Sequence, residues 1–106
     1  MYKMSIMTIT KQNYEKEVLQ SKKPVLLDFT AQWCVPCHLI APIIDEIAKE
    51  RTDLKIGKVD IDQETELAQT FQVMSIPTLV VLKDGKVKNV LVGAQNKEAM
   101  LDMVDV

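Results

Sequence analysis

Val25-Leu26-Leu27-Asp28-Phe29-Thr30 followed by Ala31-Gln32-Trp33-Cys34-Val35-Pro36-Cys37-His38 is the stretch that decides the fold. Its first part is a continuous, mostly apolar run, which suits a central strand covered on both faces better than a half-exposed one. Asp28 is the anomaly in that strand. Beyond Trp33 the period changes: Leu39, Ile40, Ile43, Ile44, Ile47 and Ala48 recur at helical spacing, with Asp45, Glu46 and Lys49 between them. A helix therefore begins near Cys34. Pro36 fits its first turn, while Pro42 lies inside it and should kink it, because it removes a donor and crowds the turn before.

Working outward, a short strand is expected at about Ser5 to Ile9, and Thr10 can cap a helix through about Gln20 that Lys23-Pro24 stops. Leu54 to Asp60 reads as the next strand and Glu64 to Phe71 as a short helix. Pro77 to Leu82 and Val87 to Val92 flank Lys83-Asp84-Gly85-Lys86, where Asp-Gly between two β-rich segments signals a hairpin. Asn96 can cap a closing helix to about Asp105. The order βαβαβαββα implies an α/β fold: a mixed five-stranded sheet covered by helices on both faces. With 106 residues the chain is one domain, 1–106, of ordinary globular composition, 47% hydrophobic and 26% charged.

The net charge of −2 gives no general attraction to nucleic acid or to an anionic membrane. The sequence offers neither a membrane-spanning run nor a signal-peptide block, so the expected address is cytoplasmic. In a reducing compartment two cysteines three apart are more often redox-active or metal-binding than a permanent bridge. Zinc normally wants four ligands, and the chain has two Cys and one His beyond its carboxylates. Cys34-Val35-Pro36-Cys37-His38 also matches the c-type haem attachment pattern in form, but the strand before it and the amphipathic helix after it speak against a haem crevice.

A cysteine between a strand and a helix N-terminus meets unpaired backbone N–H groups and the positive end of the helix dipole. Both favour the thiolate, which is the nucleophile of disulfide exchange. Cys37, three positions on, is within reach to attack a mixed disulfide formed at Cys34. Val35 and Pro36 stiffen the turn between them and tune its potential.

Asp28 through Cys37 with Pro42 behind it, Lys58-Val59-Asp60-Ile61-Asp62, Ile76-Pro77-Thr78, Lys83-Asp84-Gly85 and Gly93 together resemble the thioredoxin family, in its order and at its spacing over nearly the whole chain. The resemblance implies the thioredoxin fold and a dithiol–disulfide oxidoreductase that reduces protein disulfides. It implies that Cys34 is the exposed nucleophile and Cys37 the buried resolving thiol. Asp28 matches the family's buried acid, placed to take the proton from Cys37, and Lys58 its cationic neighbour. Ile76-Pro77 matches a cis peptide facing the sulfurs, and Trp33, Val35, Ile76, Pro77 and Gly93 would line an apolar docking surface. The implied partners are disulfide-containing proteins and a thioredoxin reductase that supplies NADPH and flavin. This chain itself is expected to bind no cofactor and no metal, and to be a monomer.

Three positions depart from the family pattern. Thr30 stands where a second tryptophan is usual, Val35 replaces the usual glycine, and His38 replaces a common lysine with a group that titrates near neutral pH. His38 is accordingly a candidate for tuning. Two rival readings remain at this stage: a binding or assembly module whose dithiol is dispensable, and a more oxidising enzyme, an isomerase or oxidant.

Overall fold

A computed structural model of the protein describes residues 6–106. Its elements run β1 (Ile6–Thr8), a π-helical turn (Glu15–Leu19), β2 (Val25–Thr30), α1 (Val35–Glu50), β3 (Lys55–Asp60), α2 (Thr65–Thr70), β4 (Thr78–Lys83), β5 (Lys86–Val92) and α3 (Lys97–Met103). The five strands form one mixed sheet in the order β1-β3-β2-β4-β5, with β1 and β2 parallel to β3 and with β4 antiparallel to β2 and β5. This is the expected α/β architecture. Expected and observed element ends differ by a residue or two, except at the start of the first helix, which lies about four residues later than expected, and at Ser5, which lies outside the described residues.

β2 sits at the centre, and its first five residues are buried, so its run of apolar residues serves both faces. Alternation along the strand sends Leu26, Asp28 and Thr30 one way and Val25, Leu27 and Phe29 the other. Leu26 joins Ile40, Ile44 and Ile47 of α1 and Met100 and Met103 of α3 in one apolar cluster. Leu27 and Phe29 join Val18 from the π-helical turn and Leu67 of α2 in a second cluster across the sheet. Each of these side chains, when fully buried, contributes about 1.5–3 kcal/mol. The two clusters together hold helices against both faces of the sheet.

Local chemistry fixes the ends of the elements. Asp84 and Gly85 have φ of 54° and 76°, the two left-handed positions of a two-residue hairpin turn. Asn96 caps α3 by accepting from the Ala99 N–H at 2.8 Å. The first helix is shorter than its sequence suggests. Thr10 and Asn13 exchange hydrogen bonds, Thr10 N–H to Asn13 Oδ1 at 2.8 Å and Asn13 N–H to Thr10 Oγ1 at 3.4 Å, which closes a turn before the helix starts. The segment then winds as a π-helical turn, with Gln20 N–H reaching Glu15 O at 3.0 Å. α1, by contrast, continues through Pro42 without interruption.

Candidate active site

The site forms where β2 ends and α1 begins. Cys34 is extended, with φ of −92° and ψ of 107°, and acts as the N-cap of α1: its Sγ accepts from the Cys37 N–H at 3.3 Å. A backbone donor at a helix N-terminus is the kind of group that stabilises an anion. Pro36 removes one competing N–H from this first turn. Cys34 and Cys37 are joined as a disulfide with their Cα atoms 5.3 Å apart.

The expectation of an exposed Cys34 needs correction, because Cys34 is 4% exposed and Cys37 3% in this oxidised state. Ala31, Ile61 and Ile76 pack around the pair, and Cys34 Sγ lies 3.9 Å from the Ile76 carbonyl oxygen. A disulfide sulfur has no S–H to donate, so this is a van der Waals contact. What remains exposed is the rim, Trp33 and Val35 at 66% and 67%. The two sulfurs differ in what they face. Cys34 meets the Ile76-Pro77 loop, whose peptide is cis, and Gly93 is tied to that loop by its N–H on the Pro77 carbonyl at 2.8 Å. Cys37 lines a pocket that it shares with Asp28 and Lys58 of the sheet.

In the wall of that pocket the strand register assembles a polar row. Thr8 of β1, Lys58 of β3 and Asp28 of β2 are direct neighbours across three strands, with Asp60 opposite Thr30 one step further. Asp28 is 2% exposed, and its Oδ1 has no hydrogen-bond partner among the described residues. Burial raises its pKa from an ordinary 3.8 to about 6, while the positive charge of Lys58 pulls the other way. An acid poised there is a better proton acceptor at neutral pH than an ordinary carboxylate.

Two contacts at the site were not foreseen from the sequence. Trp33 Nε1 donates to Asp62 Oδ2 at 2.8 Å, which anchors the exposed indole to the end of β3. His38 Nε2 lies 2.7 Å from the Gln32 carbonyl, and since a carbonyl only accepts, that nitrogen carries the proton. It fastens the loop before Cys34 to the first turn of α1. The acidic Asp60-Ile61-Asp62 at a strand end was the only hint of the first contact. Among the described residues, no group of three or more His, Cys, Asp or Glu side chains is placed to hold a metal ion.

A cystine closing so short a loop removes less chain entropy than the about 3 kcal/mol assigned to a 15-residue loop, so its value lies in exchange more than in bracing. A disulfide at a helix N-terminus, with one cysteine against an apolar rim and the other sharing a pocket with a buried acid, defines a thiol–disulfide exchange protein. The thioredoxin family model matches residues 5–106, and the chain belongs to the thioredoxin family. It is 48% identical over 100 residues to a thioredoxin of Mycobacterium tuberculosis, covering 93% of this chain and 86% of that one. With a Bacillus subtilis thioredoxin the identity is 47% over 103 residues, covering 96% and 97%. A Mycobacterium leprae bifunctional thioredoxin reductase/thioredoxin is 45% identical over 100 residues, 92% of this chain and 22% of that longer one. The protein is a thiol–disulfide oxidoreductase, and its redox group is the Cys34–Cys37 disulfide.

Proposed function

We propose that this protein is a single-domain, monomeric, cytoplasmic reductant of protein disulfides in which Cys34 attacks and Cys37 resolves. The reduced form presents the Cys34 thiolate to a substrate disulfide. One substrate sulfur bonds to Cys34 and the other leaves as a thiolate. Cys37 then gives its proton to Asp28 and attacks Cys34 Sγ, the bond from Cys34 to the substrate breaks, and the second substrate sulfur leaves. Two electrons have passed from the dithiol to the substrate, and the disulfide seen here is the product state.

The observation that carries this reading is the asymmetry of the pair: Cys34 against the Ile76-Pro77 loop, Cys37 against the side of β2 that carries Asp28. Trp33, Val35, Ile76, Pro77 and Gly93 form the rim on which an extended substrate segment lies, with the Ile76 backbone as its pairing edge. Lys58 restrains the rise of the Asp28 pKa, and Val35, Pro36 and His38 set the potential through the stiffness of the turn. A thioredoxin reductase carrying NADPH and flavin recharges the disulfide. The reductase and thioredoxin activities joined in one M. leprae chain support a partnership of that kind.

Titration in redox buffers, followed by Trp33 fluorescence, tests the direction. The expected result is one two-electron transition near roughly −270 mV, the general thioredoxin value and not one worked out from this chain. A midpoint near roughly −180 mV or above would make it an isomerase or oxidant instead.

A further inference from the structure

The apolar side chains on the loop that meets Cys34 are not equally placed. Ile76 packs against Ala31 and the two cysteines, whereas Met74, two residues before it, is 95% exposed, the most open of the large apolar side chains among the described residues. Two residues of chain span at most about 7 Å, so Met74 stands beside the edge on which a partner segment pairs with Ile76. The loop itself is fixed, with the Thr78 hydroxyl donating to the Ser75 carbonyl and Gln72 at a φ of 54°, yet Met74 belongs to none of the apolar clusters. Methionine is unbranched and polarisable, so it adapts to apolar partners of different shapes, and its thioether is open to oxidants. The other described methionines are shielded: Met100 is 0% exposed, Met103 5% and Met7 half-buried.

Resting on the reading of the rim as the surface where disulfide-bearing segments dock, we propose that Met74 is an oxidation site that governs docking. As a thioether it is the adaptable contact for apolar residues next to the partner's cysteine. A hydroperoxide converts it to the sulfoxide: the sulfur gives two electrons to the peroxide, the O–O bond breaks and an S–O bond forms. The proton of the transferred oxygen passes to the departing one, which leaves as water or an alcohol. The product is polar where docking needs an apolar contact. The Cys34–Cys37 disulfide presents no thiol to the oxidant, so in this state of the protein Met74 reacts first. The change is reversible, because sulfoxide reductases return the thioether. Peroxide thus takes away reach toward protein disulfides and leaves the dithiol chemistry in place.

The test treats the disulfide form briefly with hydrogen peroxide, and peptide mapping should find the added oxygen on Met74 before Met100 or Met103. The protein is then reduced with dithiothreitol, freed of it, and mixed with one of two disulfides: a peptide dimer linked through a cysteine flanked by leucines, or the small aromatic dithiobis(nitrobenzoate). The second-order rate constant for the peptide should fall about tenfold, and that for the small disulfide by less than about twofold. Met74→Gln, polar without oxidation, should show the slow peptide rate from the start, and Met74→Leu should react with the peptide at the same rate before and after peroxide. Sulfoxide reductases of both stereospecificities should restore the peptide rate of the treated wild-type protein. Oxygen arriving first on Met100 or Met103, an unchanged peptide rate once Met74 is oxidised, or an equal loss in Met74→Leu would each overturn the proposal. Equal slowing of both disulfides would overturn it as well, since the damage would then lie in the dithiol. An untreated protein that reduces neither disulfide would refute the reductant reading itself, and the proposal with it.

Discussion

Asp28 should make the oxidised protein less stable as pH rises, and Asp28→Asn should abolish that dependence. The carboxyl titrates near an ordinary 3.8 in the unfolded chain and at about 6 when buried in β2. Because the folded value is the higher one, the neutral acid is the form that the fold prefers. Its contribution is fully present below pH 3.8 and is lost as pH rises through about 6. At 1.36 kcal/mol for each pH unit between the two values, the loss approaches about 3 kcal/mol at pH 8. Asparagine is close in size and carries no charge, so the gap between the two proteins should open from near zero at acid pH to about 3 kcal/mol at pH 8. In a domain of this size that corresponds to a rise in Tm of roughly 12 to 24 °C. Urea unfolding of both oxidised proteins across pH 3 to 8, followed by Trp33 fluorescence, reads the gap directly. A gap that stays constant across that range would refute the reasoning, since it would mean that burial of Asp28 does not penalise its charge.

Two further outcomes follow from the same register. Lys58→Met removes the positive charge that opposes the desolvation of Asp28, so the pH at which stability falls should move above about 6 in the same unfolding series. Gly57→Ala places a methyl group against Ile9 Cγ1 and Leu27 Cδ2 where β1, β3 and β2 meet, and should cost about 1–3 kcal/mol by overpacking while the redox midpoint stays unchanged. Urea unfolding and the redox titration measure the two parts of that outcome.

What the sequence made legible was mostly local. The apolar run of β2, the change of period at Cys34, the Asp84-Gly85 turn and the Asn96 cap each declare themselves within a few residues, because backbone sterics and short hydrogen bonds decide them. The expected length of the first helix failed for the same kind of reason. The reciprocal Thr10–Asn13 hydrogen bonds made a separate turn out of residues that read as a continuous helical start. Contacts across the sheet left little trace in the chain. The Trp33–Asp62 bond, the pairing of β1 with β3 and the pocket behind Cys37 all join residues brought together only by tertiary packing. The near-equal burial of the two cysteines likewise comes from Ala31, Ile61 and Ile76 packing around the pair, residues distant from it or from each other in the chain.

Asp28 shows how one position can carry opposite demands. In a strand covered on both faces every side chain is buried, so a carboxyl placed there is penalised whichever way it points. The phase of the alternation decides what the penalty achieves. Pointing with Leu26 and Thr30 toward α1, Asp28 lies at the wall of the pocket shared with Cys37; one residue out of phase, it would lie among Leu27, Phe29 and Leu67 with no thiol to serve. The same desolvation that costs about 3 kcal/mol at pH 8 moves the acid toward the pH at which it accepts a proton effectively. Lys58 beside it keeps that rise moderate, since a nearby cation favours the charged form. Removing that cation would therefore act on stability and on catalysis together: it would raise the acid's pKa further and carry it past the pH at which it exchanges a proton effectively.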